Sequence, residues 1–258
     1  MRTVLLSLGI AFIAASCGSA GNKEPETAKN NTAEKPATAL QERTIVDTLN
    51  NITDTSFIVG QYKLTFKKTD SVAIPDLYTS KGTRETAEDA LPADVKKHFK
   101  RTGKKLTLLF EDGKNKTYTD GPEDEVYFTF DSYLPAINYG VIEVIEGAES
   151  VSYLLVNLKN GKQKIVIGKP VIANSGKQII TASEDLEAAF SSNGFQMLTK
   201  QADSLVTNFT FEANGWGPVS LKWLSENTVV FKVDRQIHIL EGDHDLKVEY
   251  YKLTIDRN

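Results

Sequence analysis

Thiols, imidazoles and excess positive charge are all scarce in this chain. One cysteine, Cys17, stands among 258 residues, so no internal disulfide can form. Three histidines, His98, His238 and His244, leave little material for a metal cluster, and neither a metal nor another cofactor is expected. Lys and Arg (30) fall short of Asp and Glu (34), for a formal net charge of -4. Nucleic-acid binding calls for a basic face, so no nucleic-acid partner is expected. The mild acidity likewise gives no reason to expect attraction to anionic lipid heads. The nucleophile elbow G-x-S-x-G, the phosphate loop of the Walker A type and the zinc motif H-E-x-x-H are all missing. What remains is ordinary for a globular protein: 40% hydrophobic and 25% charged residues. The chain is long enough for one large β domain or two small ones.

The first seventeen residues, M-R-T-V-L-L-S-L-G-I-A-F-I-A-A-S-C, have the organisation of an export signal. Arg2 supplies positive charge, and residues 4–15 form an apolar run too short for a comfortable membrane span. Ala14, Ala15 and Ser16 then lead into Cys17. This end resembles the lipobox of bacterial lipoproteins, departing from it in having Ala14 where leucine is commoner. The resemblance implies a diacylglyceryl group on the Cys17 thiol, cleavage before Cys17, and residues 1–16 as signal peptide, with palmitate-type acyl chains as the membrane partner. An ordinary signal peptide or a short uncleaved anchor are the other readings. Gly18 in place of aspartate implies the outer membrane, facing the periplasm or the cell surface. Residues 17–42 then form a tether. They lack aromatic and β-branched apolar residues apart from threonine, so they cannot bury enough surface to offset ordering entropy. A helix over 32–40 is the alternative, which Pro36 discourages.

Residues 43–258 are expected to fold as a β domain. Residues 43–53 fit a short strand or helix. Over 56–67 a strand is expected, with Tyr62, Leu64 and Phe66 on one face. Residues 70–90 suggest a long loop. One short helix is expected over 91–103, with Leu91, Val95 and Phe99 on one face, Pro92 in its first turn and Gly103 as its C-cap. Its lysines read as a solvated face or a contact for an acidic partner. Residues 105–119 predict a hairpin turning at Asp112-Gly113.

From about residue 125 short apolar runs alternate with turn residues, the pattern of repeated antiparallel β-meanders. Strands are expected at 126–130, 139–145, 153–158, 163–167, 170–173, 178–183, 188–190, 195–198, 204–211, 219–223, 229–233, 236–240 and 247–255. Dividing near 163 and 213 yields units of about four strands, the size of a propeller blade. The stretches L-V-N-L-K-N-G-K, P-V-I-A-N-S-G-K-Q-I-I-T-A-S and S-L-K-W-L-S-E-N-T-V-V-F resemble degenerate blades of TolB-like or WD40-like β-propellers. Ala173-Asn174-Ser175-Gly176-Lys177 stands where that family has S-P-D-G-K, without its proline and aspartate. The resemblance covers about half the chain and implies a mainly β, propeller-like fold, partial or small, since closed propellers have four to eight blades. A β-barrel or β-sandwich is the alternative.

Three places invite a site. Glu184, Asp185 and Glu187 put carboxylates in a loop between strands, suited to acid–base work or calcium, though such loops are more often simply solvated. Trp216, between Gly215 and Gly217, offers an aromatic face to a sugar or peptide, or else caps the core. Asp243, His244 and Asp245 combine metal-ligand types in a segment equally suited to a turn. These features point to a non-enzymatic, lipid-anchored envelope protein that binds a protein, glycan or other cell-wall-associated partner. Catalysis stays open through the loop carboxylates, as does a purely structural role.

Overall fold

The structure, a computed structural model, describes residues 44–46, 52–75, 84–122, 125–147, 150–186, 190–240 and 243–258. Cys17, the leader, residues 17–42, Glu187 and most of the strand expected over 188–190 lie outside them. Among the described residues the fold is mainly β, with two short helices and four sheets. β1 (Thr44–Val46), β2 (Ser56–Val59), β3 (Tyr62–Lys68), α1 (Arg84–Asp89) and α2 (Ala93–Lys96) come first. Sheet I holds β4 (Phe99–Thr102), β5 (Lys105–Leu109) and β6 (Asn115–Thr119). Sheet II holds β7 (Val126–Leu134), β8 (Tyr139–Glu146), β9 (Ser150–Asn157) and β10 (Gln163–Val166). Sheet III holds β11 (Lys169–Ile172), β12 (Gln178–Ser183), β13 (Gly194–Gln201) and β14 (Ser204–Glu212), with β1 parallel to β14 at its edge. Sheet IV holds β15 (Trp216–Ser225), β16 (Thr228–Leu240) and β17 (Asp243–Arg257), and β3 and β2 extend it beyond β17. Apart from β1 on β14, paired strands run antiparallel, and among the described residues no sheet closes on itself. The barrel alternative therefore falls away, while a sandwich-like layering is compatible with the sheets.

The layering follows from side-chain alternation along each strand. Sheets I and II share one core, in which Leu106, Leu108 and Tyr118 meet Phe130, Ile142, Leu154 and Val156. Sheets II and III share a second, in which Tyr139, Val141, Tyr153 and Leu155 meet Ile179, Leu198 and Leu205. Sheets III and IV share the third and largest, in which Ile180, Phe195, Phe209 and Phe211 meet Phe66, Trp216, Phe231 and Leu253. Neighbours such as Leu154 and Leu155, or Ile179 and Ile180, thus serve opposite cores. A sheet covered on both faces needs apolar residues at consecutive positions, which is why Y-L-L-V at 153–156 and Q-I-I-T-A at 178–182 run continuously instead of alternating. Among the described residues no such core joins sheet I to sheet IV.

Several expectations are corrected. The helix over 91–103 is replaced by α2 followed by β4, because Phe99 and Arg101 alternate with Lys100 and Thr102 and pair with β5. Gly103, at φ +55°, turns the β4–β5 hairpin instead of capping a helix. Helix α1 lies inside the stretch expected to be loop. The strand over 56–67 is a hairpin, β2 and β3. The strands over 229–233 and 236–240 are one, β16, and its ladder with β17 carries Asp243, His244 and Asp245 into β17. The unit division near 213 falls between β14 and β15, but the one near 163 belongs after β10, at 167–168.

Candidate functional site

Strand direction alternates, so the C-terminal ends of β8, β10, β12, β14 and β16 lie at one end of the sheets. The longest connection that follows them is the segment 184–193 between β12 and β13. Asn193 pins it: its amide Nδ2 donates to the carbonyls of Ala213 (2.9 Å) and Trp216 (2.8 Å), and its Oδ1 accepts from the Asp185 amide at 3.4 Å. The Ser191 amide donates to the Asp185 carboxylate, and the Leu186 amide to Glu184 Oε1 at 3.1 Å. Gln236 Nε2 donates to the Leu186 carbonyl at 2.7 Å, which ties the segment to β16. Gly217 allows this approach, since a Cβ there would lie 2.4 Å from Asn193 Oδ1 and 2.6 Å from Glu184 Cγ.

Beside the segment lies a cavity of about 330 Å³, lined by Glu143 of β8, Val151 and Tyr153 of β9, Ser183, Glu184 and Val219 of β15, among others. The Tyr153 hydroxyl donates to Glu143 Oε1 at 2.9 Å. Among the described residues Glu143 makes no ion pair. A second cavity of about 260 Å³ shares Val151, Ile167 and Ser191 with the first and runs out to Ile165, Phe190 and Gln196. The Ser191 hydroxyl accepts from the Val151 amide at 3.2 Å, and Gln196 Oε1 from the Ile167 amide at 3.3 Å. Ile165 (68% exposed) and Phe190 (60% exposed) stand at the mouth. The result is a groove between sheets II and III, formed by two adjoining cavities: one bears exposed Ile165 and Phe190 among serines, the other two carboxylates.

A charged network braces the same end of sheet IV. The buried Glu249 carboxylate accepts from Lys68 Nζ (2.7 Å), Arg235 Nε (3.0 Å) and the Tyr251 hydroxyl (2.7 Å), and Lys247 Nζ lies 3.1 Å away. Burial pushes this carboxyl upward, but the hydrogen bonds from Lys68, Tyr251, Arg235 and Lys247 outweigh it and hold the group well below the usual carboxylate range.

The residues singled out from the sequence separate here. Glu184 lines the cavity, whereas Asp185 braces its own loop. Trp216 is 1% exposed and packs against Phe66 and Phe211, so its ring belongs to the core and not to the loop surface. Asp243, His244 and Asp245 lie opposite Leu240, His238 and Ile237 in the β16–β17 ladder, and their side chains are outside what the structure describes. Among the described residues no three His, Cys, Asp or Glu side chains gather as a metal site, and no helix is long and apolar enough to cross a membrane. Glu143, Tyr153, Asn193, Ile165 and Phe190 carried no motif. An alternating strand reads the same whether its polar residue faces water or a cavity. No protein-family model, curated protein or solved structure matches this chain.

Proposed function

We propose that this chain is a non-enzymatic, lipid-anchored protein of the bacterial cell envelope whose β domain holds a protein or cell-wall-associated partner in the groove between sheets II and III. The binding part is carried by one observation. Exposed Ile165 and Phe190 line one of two adjoining cavities, and Glu143 and Glu184 line the other. An apolar surround with a few convergent polar groups is the usual make-up of a binding site. It fits a segment that presents an apolar side chain next to a cationic group, such as a lysine-bearing peptide or an amine-bearing cell-wall peptide.

The anchoring part rests on the lipobox-like end Ala14-Ala15-Ser16-Cys17. Acylation stabilises membrane attachment by about 0.8 kcal/mol per buried CH₂, so two or three chains hold firmly. Gly18 favours the outer membrane, and residues 18–42 space the domain from it. The architecture in this reading is an open, propeller-like stack. Sheets II and III are consecutive four-stranded meanders, and sheet IV is a three-stranded meander completed by the N-terminal hairpin.

A hydrolase is the second reading, favoured by two carboxylates, Glu143 and Glu184, lining one cavity, since paired carboxylates cleave glycosidic bonds. Metabolic labelling with palmitate tests the anchor. The wild-type chain takes up label and Cys17→Ser takes up none; label retained by the variant refutes it.

A further inference from the structure

The net charge of -4 averages over faces that the strands keep apart. One face of sheet IV packs on sheet III; on the other, Ser220 (2% exposed) and Val230 (1% exposed) are buried beneath longer side chains, and among the described residues no hydrophobic cluster lies against it. Side-chain alternation decides which residues occupy that outer face. In β3, Tyr62, Leu64 and Phe66 point to the core, which leaves Lys63 and Lys67 outside. In β15, Leu221 and Trp223 point inward and Lys222 outward. In β16 and β17, inward Phe231, Val233, Tyr251 and Leu253 leave Lys232 and Lys252 outward. The register sets Lys222, Val230, Lys252 and Lys67 in one row across four strands. Strands are about 4.8 Å apart, so the row spans about 14 Å. Lys63, Lys67, Lys222 and Lys252 are exposed and Lys232 is half-buried. Among the described residues none of the five makes an ion pair. Among the described side chains of these strands only Asp234 and Asp256 oppose them on this face. Exposed apolar side chains border the lysines: Val248 (49%) and Leu246 (37%) toward one end, Leu224 (49%) and Ile58 (69%) toward the other.

We propose that this face lies on an anionic lipid bilayer, with the five lysines over headgroup phosphates and the bordering apolar side chains against the interface. Three features favour a bilayer over a single peptide or polymer strand. The face is a sheet surface across four strands, not a groove. Its cations are all lysines, compact and strongly hydrated charges, without the arginine fork that selects individual phosphates or carboxylates. Its apolar residues sit at the borders, where they reach the interface as the charges settle. Each lysine near an anionic surface adds about fivefold in affinity. The inference goes beyond the anchor and does not require it, because the charge of the face is independent of Cys17. With an anchor present, the face would orient the domain against the membrane that the acyl chains already hold.

Co-sedimentation with vesicles tests this. The full chain carrying Cys17→Ser, and so without acyl chains, is mixed with vesicles of phosphatidylcholine alone or with added phosphatidylglycerol. The apolar leader is present in every variant and drops out of the comparison. The expected result is binding that needs phosphatidylglycerol, weakens with salt, and falls on the order of a thousandfold when Lys63, Lys67, Lys222, Lys232 and Lys252 are all changed to Gln. Lys100→Gln with Lys105→Gln, in sheet I, should leave it within a few-fold of the parent. Equal binding to both vesicle types, or undiminished binding by the five-lysine variant, overturns the proposal. So does binding of soluble polyphosphate without vesicle binding, which would assign the face to a polyanion. Failure of the anchor reading is recorded separately, by palmitate labelling at Cys17.

Discussion

Glu249 shows how one residue sets the conditions under which the loop end of sheet IV holds together. Three cations and a tyrosine hydroxyl converge on its carboxylate, and its folded pKa lies below the ordinary 4.5. A depressed carboxyl contributes its full stability above the unfolded pKa and loses it as pH falls toward the folded value. Stability should therefore be level above pH 4.5 and decline in acid below it. Glu249→Gln should lower stability at neutral pH by about 3 kcal/mol and flatten the acid decline. That figure is the low end for breaking a buried pair, because Lys68 and Lys247 are 47% and 55% exposed. Denaturant unfolding at several pH values measures both effects; an acid decline as steep in the variant as in the wild type would contradict the assignment. At this scale the sequence was least legible. Asn193 and Gly217 organise the candidate site, yet Asn193 carried no signal and Gly217 was noticed only as a neighbour of Trp216, since their roles come from segments that meet only in the fold.

Among the elements, the segment 91–102 shows apolar spacing and backbone conformation coming apart. Leu91, Val95 and Phe99 all pack on the core between sheets I and II, as a helical face would, but the chain becomes strand at Phe99. The open edge of β5 rewards pairing over four residues, and tertiary pairing outweighs the weak local preference. Helix α1 is held by chemistry that left no sequence pattern. Arg101 bonds Glu88 through Nε (2.9 Å) and Nη2 (2.6 Å), and Nη1 reaches Asp120 at 3.5 Å. The same two carboxylates accept the Phe130 and Phe128 amides of β7 (2.9 and 3.0 Å), so they cap the outer edge of sheet II. Arg101→Met should leave the buried Glu88 carboxylate without the guanidinium that pairs it and cost about 3–5 kcal/mol. Hydrogen exchange at the Phe128 and Phe130 amides should speed up relative to β12. Unchanged protection there would show that α1 is held by packing alone.

For the whole molecule, the β rhythm from residue 125 onward was legible because turn residues punctuate it regularly. The division into sheets nearly followed, with 213 placed between β14 and β15. The N-terminal hairpin completing sheet IV was not legible, because pairing between residues 62–68 and 251–257 leaves no local trace. The sorting of charge onto one sheet face was hidden for the same reason: β3, β15, β16 and β17 each carry only one or two of the lysines. The groove, too, exists only where turns from sheets II and III meet. Site-specific photo-crosslinking in living cells tests it most directly, with the photoreactive residue at Ile165 or Phe190 and, as control, at Asn160 on the opposite end of sheet II. The account predicts a discrete envelope adduct from Ile165 and Phe190 that is lost with Glu143→Gln and absent from Asn160. No adduct at the groove, or the same adduct from all three positions, would contradict it.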